Sequence, residues 1–437
     1  MRSGWLAVSL LALGGCTPGN DGRTTLTIAT VNNGDMVRLK DFTHDFEASH
    51  PSIRLKWVVL EENILRQRVT TDIAIRGGQY DVVTIGAYEV PVWAKRKWLA
   101  SLDDLGPRYR ADDLIGPVRS AVTFDAVQYG APFNGESAIT MYRTDLFRNA
   151  GIAMPATPSW TFLIQAAARL HHPEQGVYGL CLRGKAGWGE NMAPITAMAN
   201  AFGARLFDPR WRPQFDTPEW RTTVTTYVDA LRRYGPPGAV ANGFNENLAM
   251  FARGKCAIWY DSTVAAPFLS DPKTSTVSAV VGFAPPPDQG LGRPSGWLWT
   301  WALAIPATSR KAAAAKEFIR WAAGPPYATL VARRLGWLAV PPGTRRSLYT
   351  NPAYRRVAPF ADTTLDAINA VDTASPTVKP IPYVGAQYAA IPEWQGIGTE
   401  IGQQFAAAVS GRVSPDDALA EAQAAASRQM AAAGYYK

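Results

Sequence analysis

The stretch Thr25-Leu26-Thr27-Ile28-Ala29-Thr30-Val31-Asn32-Asn33-Gly34-Asp35 decides the fold. The β-branched run from Thr25 to Val31 reads as a strand, and it stops at a cluster of turn-forming residues. Leu39, Phe42 and Phe46 then recur at helical spacing until Pro51, whose ring ends the helix. Ile53, Leu55, Trp57 and Val59 alternate with their neighbours as a half-buried strand does, and a helix over about 63–75 follows. After Gly77-Gly78, Val82 to Ile85 is short and apolar enough for a strand covered on both faces. This alternation is that of an α/β domain with a largely parallel sheet. In such sheets the ligand crevice lies beyond the carboxyl ends of the strands, so the loops to watch are 32–35, 61–63 and 87–89. They carry Asn33, Glu62, Tyr88 and Glu89.

Outward from there the pattern repeats. Helices are expected near 161–170 and 220–234 with a strand at 178–182, then strands at 277–283 and 298–305, and helices at 311–323 and 415–433. Ser414 as N-cap, Pro415 at the first helical position and Asp416-Asp417 in the first turn define the last helix. A chain of 437 residues is too large for one core. The interleaving implies two lobes, 24–134 plus 263–310 and 135–262 plus 311–437. A hinge of several strands lets such lobes close without separating.

The beginning of the chain reads as an export signal. Arg2 is basic, Trp5 to Leu13 is apolar, and Leu13-Gly14-Gly15-Cys16 has the form of a lipobox. Residues 1–15 would be removed, Cys16 diacylated, and 16–23 left as a tether, so the membrane attachment expected is by lipid alone. No later stretch reaches the roughly eighteen apolar residues that a membrane-crossing helix needs. The location expected is periplasmic or cell-surface. The net charge is +8, with 44 basic residues scattered among 36 acidic ones, and no basic stripe points to nucleic acid. Cys181 and Cys256 can pair in an oxidising compartment or stay as two buried thiols.

The four histidines form no His-x-x-x-His pattern, and neither Cys-x-x-Cys nor a Walker loop occurs, so no metal or cofactor is expected. His171-His172 before Pro173 reads as a solvated helix end. No Gly-x-Ser-x-Gly elbow occurs. Fifteen tryptophans exceed what a core needs. Trp188 lies in a glycine-flanked loop, while Trp297, Trp299 and Trp301 alternate along a strand and share a face. Such rings offer flat apolar faces to the C–H edges of a carbohydrate or polyol. Of the three, Trp297 is expected as a wall of the site and the others as core. Hydroxyl-rich ligands also need acceptors and donors, which Asn33, Glu62, Glu89, Asn134, Glu136, Arg183, Glu190, Asn191 and Asp261 can supply. Glu136 and Asp261 could alternatively be read as a glycosidase pair, for which the sequence indicates no spacing.

From Thr27 to Asp35 the chain resembles the polyol-binding subgroup of the solute-binding family that also contains maltose-binding proteins. The likeness continues through Trp57-Val58-Val59-Leu60-Glu61-Glu62-Asn63, Ala131-Pro132-Phe133-Asn134-Gly135-Glu136-Ser137, Gly187-Trp188-Gly189-Glu190-Asn191, Asn242-Gly243-Phe244-Asn245-Glu246-Asn247 and Ile381-Pro382-Tyr383-Val384-Gly385. The resemblance implies a class II periplasmic-binding-protein fold of two α/β lobes, maltose-binding-protein-like, with Tyr383 also at the site. It implies a monomer, not an enzyme, that holds a linear polyol such as mannitol, sorbitol or arabitol and hands it to an ABC permease and its ATPase, the alternative being a binding protein for a different mono- or oligosaccharide. Two positions depart from the subgroup: Asn134 stands where a Tyr is expected and Ser295 where an Asn is expected. A lipobox is likewise unlike the freely periplasmic members.

Overall fold

The computed structural model describes residues 22–436. The leader, the lipobox with Cys16 and most of the tether lie outside the described residues. Among the described residues there are eleven strands: β1 (Thr24–Val31), β2 (Ile53–Leu60), β3 (Val82–Gly86), β4 (Thr123–Phe124), β5 (Val127–Gln128), β6 (Ala131–Glu136), β7 (Ala138–Arg143), β8 (Tyr178–Cys181), β9 (Cys256–Ser262), β10 (Val281–Ala284) and β11 (Trp299–Ala304). The first sheet has the order β2-β1-β3-β11-β6 and the second β10-β7-β9-β8, with β4 and β5 forming a separate hairpin.

The opening β1, β2 and β3 run parallel as their pattern requires, each followed by a helix. β3 is buried throughout, while the first half of β2 alternates buried with exposed. The helix Glu62–Ala74 begins at Glu61, whose carboxylate accepts from the backbone N–H of Asn63 at 3.0 Å. Ser414 caps the helix Pro415–Ala432 through the N–H of Asp417.

The chain leaves the first sheet at Glu136, crosses at Ser137 and enters the second sheet at Ala138; it returns between β10 and β11. The lobe division read from the sequence differs at several places. β10, expected with the first lobe, pairs antiparallel with β7 in the second sheet. The helix Ala312–Ala322, expected with the second lobe, packs on β1 of the first, whereas Trp394–Val409 and Pro415–Ala432 pack on Pro218–Tyr234 in the second. A strand's residues reveal that it is a strand; which edge it joins is set by pairing distant in sequence.

Cys181 at the end of β8 and Cys256 at the start of β9 form a disulfide with their Cα atoms 5.9 Å apart. Among the described residues no helix is long and apolar enough to cross a membrane, and no group of three or more His, Cys, Asp or Glu could hold a metal.

Candidate functional site

A cavity of about 160 Å³ lies between the lobes. On the first-sheet side, the loop after β1 places Asn33 and Asp35 in its wall, and the turn after β2 places Glu61 and Glu62. Asn33 also caps the next helix by accepting from the N–H of Met36 at 2.9 Å. β6 contributes Asn134 and Glu136 where the chain crosses. The second lobe supplies Arg183, Lys185, Trp188 and Glu190 from the segment after β8, and Phe244 and Asn245 from beyond.

Tryptophan makes the floor. Trp297, Trp299 and Trp301 all line the cavity, so the expectation that Trp297 alone would face it is corrected. The strand begins only at Trp299, and the Trp299 ring lies over Gly86 of β3, where a Cβ would come within 1.9 Å of it. Trp188 packs against the Trp299 ring at 5.8 Å and the Tyr88 ring at 4.7 Å. The Arg66 guanidinium stands 4.0 Å over Trp188 and 4.8 Å over both Trp299 and Trp301.

Five expected residues do not line the cavity. Glu89 sits behind it, accepting from Gly86 N–H at 2.8 Å and from Arg66 at 2.5 Å, so it positions Arg66. Tyr88 presents its ring to Trp188 and donates its hydroxyl to the Ile391 carbonyl. Asn191 is spent on the Gly402 carbonyl and the Gly187 N–H. Asp261 accepts from Arg183 Nε and Nη2 and from the Trp259 indole at 3.1 Å, so it anchors Arg183 from behind. Tyr383 is buried beside Phe207, accepting from Leu206 N–H at 3.0 Å. Ser295, the second position that departs from the subgroup, does not line the cavity and accepts from the Trp160 indole. Each is polar in a loop, at a strand end or, for Glu89, at a helix start, which sequence cannot distinguish from a wall residue.

Among the residues that sequence reasoning missed are Arg66, Asp35, Glu61, Lys185, Phe244, Asn245, Glu246 and Gln387. Arg66 lies inside a helix that offered no loop signal. Phe244 and Asn245 stand within the motif Asn242-Gly243-Phe244-Asn245-Glu246-Asn247, and Lys185 lies two residues before Gly187, so motif neighbourhood is the signal that points to them.

The electrostatics follow from burial. Arg183 is disfavoured as a cation by burial, yet its pKa is raised, because Asp261 lies against it and Glu190 and Glu62 stand near. Burial pushes Glu136 up to about 7, against the pull of the Ser262 hydroxyl, which donates to it, and of Arg183. Glu190 rises for the same first reason and because Glu62 repels it. Burial also lifts Asp35, opposed by Arg38 and Asn134.

A cleft walled by both lobes and floored with indoles is built to hold a ligand. The glycosidase pairing of Glu136 with Asp261 has no counterpart, since Asp261 is turned onto Arg183. This geometry defines a two-lobed capture protein. Residues 33–329 match the model of the bacterial extracellular solute-binding protein family, and the chain belongs to that family. It is 53% identical over 432 residues to the mannitol-binding protein of Pseudomonas aeruginosa, covering 99% of this chain and 97% of the relative. It matches an ABC transporter solute-binding protein of Agrobacterium vitis, solved with bound D-mannitol, at 57% identity and a TM-score of 0.94, over 95% of this chain and 100% of that one. A T. maritima protein with bound maltose shares the fold alone, at 18% identity and a TM-score of 0.78 over 92% of this chain and 99% of that one. The fold is therefore maltose-binding-protein-like, and the chain is a substrate-binding component of an ABC transporter rather than an enzyme.

Proposed function

We propose that the chain captures a linear polyol, mannitol foremost, between its closing lobes and presents it to the permease subunits of an importer, as a monomer held at the membrane through a lipid on Cys16. What carries the reading is the pairing of an indole floor with carboxylates and amides drawn from both lobes and the crossing strand. Each polyol hydroxyl is both donor and acceptor, and Glu62, Glu136, Glu190, Asn33 and Asn245 offer complements to it. At 160 Å³, with a water needing roughly 10–15 Å³, the cavity suits a hexitol better than an oligosaccharide. The mannitol named for the two most similar proteins reported above supports the same choice. Binding favours closure only by the ligand's greater affinity for the closed state, and the permease reads the lobe orientation that results.

Calorimetry against mannitol, sorbitol, arabitol and maltose tests this. Micromolar binding of at least one alditol, with maltose weaker, is expected; maltose binding tighter than every alditol would overturn it. For the anchor, Cys16→Ser should move the protein from the membrane fraction to the soluble one, and unchanged partitioning would rule the lipid out.

A further inference from the structure

We infer that the cleft selects among polyhydroxy ligands by charge, accepting an alditol that carries a protonated amine alongside the neutral alditol and rejecting the corresponding sugar acid. This rests on the polyol reading above and adds a ligand class to it.

Among the described residues three cations line the cleft, and each is already met by a carboxylate. Arg66 is held by Glu62 at 2.9 Å and Glu89 at 2.5 Å. Arg183 is held by Asp261, and its Nη1 donates to the Gly189 carbonyl. Lys185 is paired with Glu61. Two buried carboxylates, Glu136 and Glu190, are less closely matched, while Glu246, which also lines the cleft, is exposed and accepts from the Gly243 N–H. Glu136 has the neutral Ser262 hydroxyl as its hydrogen-bond partner. Glu190 shares Lys185 with Glu61, at 3.3 Å from Oε1, while its Oε2 is buried without a hydrogen bond, 3.9 Å from Arg183 Nη1. Glu190 is 5% exposed, and Gln387, 4% exposed, brings a second buried acceptor without a partner, its Oε1, to the same cleft.

The unmet demand is thus for donors and positive charge. A hydroxyl brings one donor to this wall, whereas an ammonium brings three and the complementary charge. A carboxylate would face Glu136 and Glu190 while each lining cation among the described residues is engaged, and in a cleft shielded from water that repulsion is weakly screened. The upward titration of both glutamates is what burial with too little positive charge produces, and it supports the geometry.

Calorimetry of the mature protein with mannitol, 1-amino-1-deoxymannitol and mannonate, at one neutral pH and ionic strength, decides the matter. The amino-alditol should bind within about tenfold of mannitol, and mannonate about a hundredfold or more weaker than the amino-alditol. Glu190→Gln should shrink the amine-to-acid ratio by about tenfold. The wild-type panel stands alone if that variant does not fold. A ratio below tenfold in the wild type, with mannitol bound, overturns this inference alone; a folded protein that ignores mannitol brings down the polyol reading and this inference with it.

Discussion

Glu136 sits where the chain passes from one sheet to the other, 7% exposed. Its carboxyl titrates near 7 in the folded protein and near 4.5 as an ordinary glutamate. Between those values the folded state keeps a proton that the unfolded chain has released, so stability falls as pH rises. The loss attributable to this group should total on the order of 3 kcal/mol between about pH 5 and pH 8. Urea unfolding of the ligand-free protein across that window measures it, and Glu136→Gln should flatten the slope, leaving the parallel contributions of Glu190 and Asp35. Identical slopes in the two proteins would show that Glu136 does not titrate there. The neighbouring Arg183 and Asp261 mark the limit of residue-level reading. Both were identified as polar site residues, yet Asp261 is consumed by Arg183 and does not reach the cleft. A sequence shows donors and acceptors, but not which of them satisfy each other.

Among the elements, β8 and β9 bear most directly on the second wall. They run parallel, and the disulfide ties the end of one to the start of the other just before Arg183 and Asp261. The two cysteines are 75 residues apart, so the crosslink removes a long loop from the unfolded ensemble. Reduction should lower stability by about 2–4 kcal/mol, read as a fall in the urea midpoint. Two thiol equivalents titrated in the denatured, unreduced protein would contradict the pairing. The strand periods were legible because each strand of the first sheet carries its own pattern. β10 was misassigned because four residues between a loop and a proline run carry no signal of their sheet. On β11, alternation correctly put Trp299 and Trp301 on one face, but whether that face met core or cleft depended on β3 and β6 beside it.

Across the whole molecule the two lobes touch at several points around the cleft, among them the loop that carries Trp188. Lys185 reaches Glu61, Trp188 lies under the Arg66 guanidinium, and Asn245 donates to the Asn32 carbonyl at 3.1 Å. Glycines flank Trp188 because a Cβ at Gly189 would stand 2.3 Å from Glu62 Oε1 and one at Gly187 2.9 Å from Asn63 Oδ1. A buried cation over an indole contributes about 1–2 kcal/mol, and here it is gained only when the lobes meet. Trp188→Ala should therefore enlarge the radius of gyration of the ligand-free protein in small-angle scattering and weaken mannitol binding by about tenfold or more. An unchanged radius with unchanged affinity would mean that the loop does not hold the lobes together.

The sequence by itself determined the α/β grammar, the two lobes, the cleft-facing loops after β1 and β2, and the aromatic character of the site. These are local, written in periodicity, turn chemistry and motif. Only the tertiary structure decided which sheet β10 joins, that Arg66 rises from a helix into the indole cluster, and that Glu89 and Asp261 support their cations from behind. Those outcomes depend on pairings between residues far apart in the chain, where burial forces every polar group to find a partner and so settles which ones remain for the ligand.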